Sequence, residues 1–67
     1  MDYLIDDIDR QIVGCLAEDA RMSLKMLSAR VGLTSPSTAE RVKRLEERGV
    51  IQGYGAHVNL AAMGYTL

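Results

Sequence analysis

Gly32-Leu33-Thr34-Ser35-Pro36-Ser37-Thr38-Ala39-Glu40-Arg41-Val42-Lys43-Arg44-Leu45-Glu46-Glu47-Arg48-Gly49 is the stretch whose reading decides the fold of this 67-residue chain. It begins as a tight turn, starts a helix near residue 35, runs roughly four turns and stops at a glycine. Thr34 and Ser35 both suit an N-cap, because a hydroxyl there accepts from the open N–H groups of the first turn. Pro36 falls in that first turn, where a missing N–H costs nothing. Gly49 supplies the left-handed residue that closes many helices. Ala39, Val42 and Leu45, with Thr38 beside them, share one side of the helix; Ser37, Glu40, Arg41, Arg44 and Arg48 share the other. A short helix with a narrow apolar seam, small hydroxyls at its start and arginines outside suits a DNA major groove.

Upstream lies a second short amphipathic segment. Ser23 is its N-cap, Leu24, Leu27 and Val31 are its apolar positions with Met26 and Ala29 flanking, and Gly32 ends it. Leu33 is expected to tuck inward. Only about three residues then separate this helix from the next, which is the spacing of a helix-turn-helix. A first helix is expected over residues 7–18, with Asp6 as N-cap, Asp9 three residues on, and the stripe Ile8, Ile12, Cys15 and Leu16. Gly14 inside it costs about 1 kcal/mol against alanine, so close approach of a neighbouring helix is its expected role.

Beyond Gly49 the period changes. Residues 51–58 alternate without a helical stripe and predict one β-strand, which needs a partner for its backbone groups. The chain itself offers only its N-terminal residues, so a second subunit or a further domain are the other candidates. Leu60 to Leu67 predict a short helical turn at most. The expected fold is therefore mainly α: a three-helix helix-turn-helix bundle, winged-helix-like, over residues 1–50, followed by a C-terminal strand in a linker of residues 51–67.

Composition narrows the function. The formal net charge is −1, yet residues 1–20 hold six acids against one base and residues 21–48 seven bases against three acids. Such a dipolar domain presents one positive face to phosphates. One cysteine with one histidine builds neither a disulfide nor a zinc site, and Cys15 reads as a small buried hydrophobe. His57 stands alone on the strand and reads as packing or solvent-facing. Tyr3, Tyr54 and Tyr65 read as packing against the bundle or a partner. No apolar run approaches the roughly 18 residues of a membrane span, and the acidic start does not suit a signal peptide, so the chain reads as cytoplasmic, and the DNA reading adds that it is nucleoid-associated. No catalytic residue, cofactor or metal site is expected.

Ile8-Asp9-Arg10-Gln11-Ile12, Leu16-Ala17-Glu18-Asp19-Ala20-Arg21-Met22-Ser23, Leu27-Ser28-Ala29-Arg30-Val31-Gly32-Leu33, Glu40-Arg41-Val42-Lys43-Arg44-Leu45-Glu46 and Gly49-Val50-Ile51-Gln52-Gly53-Tyr54 together resemble the N-terminal domain of the Lrp/AsnC family. These are the leucine-responsive, or feast/famine, transcription regulators of bacteria and archaea. The resemblance spans essentially the whole chain. It implies a sequence-specific DNA-binding domain, a linking strand, and then an α/β amino-acid-sensing domain that assembles dimers and octamers. Leu67 falls about where that sensing domain would begin, so the amino-acid effector is expected to act only through a domain absent from this sequence. The linking strand at 51–58 is expected to pair with its mate in a homodimer. The expected target is a near-palindromic double-stranded operator.

In a major groove, a recognition helix at about 35–48 would bring Ser35, Ser37 and Thr38 close to bases or phosphates, with Thr34 and Pro36 in its approach. Arg41 is the expected base reader, since a guanidinium forks onto guanine; pairing with Glu46 or Ser37 is the alternative. Lys43 and Arg44 are expected on phosphates, Arg48 is a further expected DNA contact, and Ser23 and Lys25 offer another at the preceding helix start. Glu40 lies among these bases, either orienting Arg41 or repelling wrong registers. Two other readings compete with the regulator: a protein-interaction module without DNA, and the Lrp-like domain of a haem-biosynthesis decarboxylase.

Overall fold

Asp6 opens the first helix of the computed structural model, which describes residues 5–64. Its carboxylate accepts from the Asp9 N–H at 2.8 Å and caps α1, Asp7–Glu18. Asp7 and Asp9 add negative charge at the positive end of the helix dipole. Ser23 likewise caps α2, Leu24–Val31, by accepting from the Met26 N–H, and Gly32 ends it at φ +74°. Thr34, not Ser35, caps α3, Ser35–Glu47, with Pro36 in the first turn. All three helices follow the expected boundaries to within a residue, because each is bracketed by a capping side chain or a left-handed glycine.

The end of α3 is closed by backbone. Gly49, at φ +75°, donates to the Glu46 carbonyl at 3.1 Å, and Val50 and Ile51 both donate to the Leu45 carbonyl, at 2.9 and 3.1 Å. The first two of these bonds form a Schellman motif. It satisfies carbonyls that a helix end leaves open.

Each helix contributes to the core. Ile12 from α1, Leu27 and Val31 from α2 and Leu45 from α3 are buried, ringed by Ile8, Val13, Cys15, Leu16, Met22, Leu33, Val42 and Ile51. Cys15 is thus a half-buried hydrophobe, Leu33 packs inward as expected, and Met22 packs beside it against the core. Three polar side chains share the interior, Asp9, Ser28 and Thr38. Thr38 is 0 % exposed and donates to the Thr34 carbonyl at 2.9 Å. Ser28 donates to the Lys25 carbonyl at 2.8 Å, and its hydroxyl lies 3.4 Å from that of Ser35 across the helix-turn-helix. Hydroxyls bonded back to their own helix avoid the cost of an unpaired buried group.

Several sequence expectations do not hold. Leu24 is 40 % exposed, and Ala39 also faces solvent, so the apolar seams of α2 and α3 are narrower than a helical wheel suggests. Gly14 admits no neighbouring helix: nothing lies within 4 Å of where its Cβ would stand. No strand forms among the described residues, and hence no wing. Residues 52–59 carry no hydrogen-bonded secondary structure, and Tyr54, Val58 and Leu60 are exposed. The physical reason is the one that makes any lone strand unstable: its N–H and C=O groups have no ladder to join. A single 3-10 turn, Ala61–Met63, follows, consistent with the short turn expected there. The packing expected of Tyr3 and Tyr65, and pairing of the strand with the first four residues, lie outside the described residues. No described helix is long and apolar enough to cross a membrane.

Candidate nucleic-acid interface

α3 lies across the other two helices with Thr38 and Leu45 down, which turns the opposite face to solvent. Pro36, Ser37, Glu40 and Arg44 recur along that face at helical spacing and, with Leu33 and Arg41, line a shallow groove. Lys43 flanks the row. Lys43 and Arg44 are exposed and meet no carboxylate among the described residues. At the start of the row the Thr34 hydroxyl accepts from the Ser37 N–H at 3.3 Å and donates to the Ser37 hydroxyl at 3.0 Å. Ser37 therefore keeps its own hydroxyl proton to donate outward. Arg48 stands at the far end of α3 as its C-cap and is exposed.

The first turn of α3 offers few open backbone donors, since Pro36 has none and the Ser37 N–H is taken by Thr34. α2 offers more. Ser23 caps only the Met26 N–H, leaving Leu24 and Lys25 at an exposed helix start. With the Lys25 ammonium beside them, these groups suit an anion.

Two of the expected site residues are placed differently. Thr38 is wholly buried and hydrogen-bonded to its own helix, so it takes no part in the outer face. Arg41 does not project freely, and neither Glu46 nor Ser37 is its partner. Its Nη1 lies 2.6 and 2.8 Å from the two Asp6 carboxylate oxygens and 3.3 Å from Asp9 Oδ1. The Arg41 bonds, followed by the Asp9 N–H, hold the Asp6 carboxyl below its usual range, and the Asp6 carboxylate, with that of Asp9 behind it, pushes the Arg41 guanidinium up. Ser35 is half-buried against Ser28.

The sequence did carry a signal for the Arg41 pairing. Asp9 stands three residues before Ile12 and seven before Leu16, on the inward stripe of α1, and it is 2 % exposed. A carboxylate so placed requires a cation or strong donors.

A helix-turn-helix whose second helix turns hydroxyl and basic side chains to solvent is the architecture of a DNA-binding domain. The AsnC-type helix-turn-helix domain model matches residues 5–46. The chain is 48 % identical over 67 residues to the transcriptional regulator LrpA of Mycobacterium tuberculosis, covering all of this chain and 45 % of that protein. It is 38 % identical over 64 residues to LrpA of Bacillus subtilis, covering 96 % of this chain and 47 % of that one. Among solved structures, the feast or famine regulatory protein of M. tuberculosis, complexed with L-methionine, superposes with a TM-score of 0.87 at 49 % identity, over 91 % of this chain and 42 % of that chain. The chain belongs to the AsnC-type helix-turn-helix family, and its three helices are the DNA-binding domain of the Lrp class of transcriptional regulators. It spans somewhat less than half the length of these relatives. They are named as regulators, which disfavours both the decarboxylase and the protein-only readings.

Proposed function

We propose that this domain docks α3 in the major groove of double-stranded DNA and serves a regulator of transcription in the cytoplasm. The observation that carries the reading is the exposed row Ser37, Glu40 and Arg44 on a helix anchored from below by Thr38 and Leu45. In this reading Arg44 forks onto guanine or grips a phosphate, Ser37 donates from the approaching end, and Glu40 disfavours wrong registers. Lys43 and Arg48 flank the groove as phosphate ligands. Lys25, with the open N–H groups of Leu24 and itself, supports a phosphate at the start of α2. Thr34, Ser35 and Pro36 shape the approach rather than read sequence.

Residues 1–50 act as the DNA-binding unit and residues 51–67 as a linker. Residues 52–58 join no strand ladder among the described residues, which supports a homodimer in which the segment 51–58 pairs with its mate, so that two copies of α3 meet the half-sites of a near-palindromic operator. The relative solved with L-methionine supports an amino-acid effector acting through a domain beyond the helix-turn-helix.

The test is selection of this chain against a randomised duplex pool at several salt concentrations. Enrichment of a two-fold motif with half-sites about one turn apart supports the reading, as does log K falling with log salt. Absence of binding at low salt overturns it.

A further inference from the structure

We propose that Arg41 is a positioning residue that pins α3 to the start of α1 through Asp6 and Asp9, and so sets how Ser37, Glu40 and Arg44 meet DNA. The inference deepens the DNA-binding reading and rests on it. Arg41 lies on the rim of the outward groove, beside Glu40 and Arg44. Its guanidinium is nevertheless committed elsewhere, within 2.6 Å of Asp6 and 3.3 Å of Asp9. Asp6 is the N-cap of α1 at the same time, so one carboxylate closes the first helix and holds the third.

Swinging Arg41 out to a phosphate would leave two acids without its charge, one of them buried. That cost opposes capture of the guanidinium by DNA. A hold of this kind matters mechanically. The apolar anchors of α3, Val42 and Leu45, lie in its C-terminal half, whereas the end that approaches the groove is held by Thr38, the Ser28–Ser35 contact and Arg41. The tie across 35 residues of sequence fixes the pitch of that leading end against α1.

The roles separate in a salt series. A phosphate ligand contributes about 0.9 to the slope of log K against log salt; a base reader relaxes preference at one position; a positioning residue does neither. The experiment measures binding of the unaltered chain, Arg41→Gln, Arg41→Lys, Asp6→Asn and Arg44→Gln to the same duplex pool, each confirmed as folded by circular dichroism. Asp6→Asn retains a good N-cap, so it remains informative where Arg41→Gln fails to fold.

The expected result is that Arg41→Gln and Asp6→Asn each weaken every sequence by a similar factor, about tenfold, with slope and sequence preference unchanged. Arg41→Lys should recover part of the affinity. Arg44→Gln should lower the slope by about 0.9 or flatten one position. A lower slope or flattened position for Arg41→Gln, or tighter binding with a steeper slope for Asp6→Asn, overturns the proposal and makes Arg41 a DNA ligand. Failure of the unaltered chain to bind any duplex overturns the DNA reading, and the proposal with it.

Discussion

The Tyr54 hydroxyl donates to Glu46 Oε2 at 2.7 Å, joining the segment after Gly49 to the last turn of α3. Partial desolvation of the phenol, and then the facing Glu46 carboxylate, push its pKa from 10.0 up to about 12. The folded state thus keeps the proton longer than the unfolded chain. The contribution of this contact is full below pH 10 and is lost as pH rises towards 12. Tyr54→Phe should remove the high-titrating component of the tyrosinate absorbance and flatten the fall of the thermal midpoint across that window. Identical curves for the two proteins would refute the assignment.

Two glycines should respond to alanine with opposite signs. Gly14 sits within α1 with open space around its missing Cβ, so Gly14→Ala should stabilise the domain by up to about 1 kcal/mol. Gly49 holds φ +75° at the close of α3, and Gly49→Ala should cost about 1–2 kcal/mol through left-handed strain. Thermal unfolding decides both, and a loss of stability for Gly14→Ala would mean that α1 has a neighbour against position 14 in solution.

At the acid end the sign runs the other way. Asp6 is held below its ordinary 3.8, so the stability it contributes is present above that pH and disappears as pH falls through the lowered value. Asp6→Asn keeps a cap but cannot ionise, and should make the helical signal less steep below pH 3.8. An unchanged acid limb would show that the Arg41 contact does not persist in solution.

Lys43 flanks the exposed row and meets no carboxylate among the described residues. Lys43→Gln should lower the salt slope of DNA binding by about 0.9 while leaving sequence preference intact. A change in preference would move Lys43 from a phosphate to a base edge.

Local chemistry made the helices legible in the sequence. Asp6, Ser23 and Thr34 are capping side chains with a donor three residues on, and Gly32 and Gly49 are stops whose function needs no tertiary partner. What escaped depends on distance along the chain. The bond from Arg41 to Asp6 joins two helices not adjacent in sequence, so helical spacing placed Arg41 correctly on its helix yet named the wrong partner. Thr38 shows the same limit from the other side: its hydroxyl suggests an exposed contact, and only its complete burial, with the hydroxyl turned back to the Thr34 carbonyl, reveals a strut. The strand failed for a third reason, since alternation describes a face and not the partner that must complete it.

The closure of α3 has a mechanical consequence. Two successive amides, Val50 and Ile51, are bonded to the single carbonyl of Leu45, the residue that also plugs the core, and Ile51 packs against that core. No freely jointed residue therefore intervenes between the groove-facing helix and the departing chain until about Gln52. Whatever is attached from there onward works on a lever whose short arm is α3 itself. A torque delivered at Ile51 turns the DNA-facing row with it, whereas one applied further along must first be carried through the irregular residues 52–59.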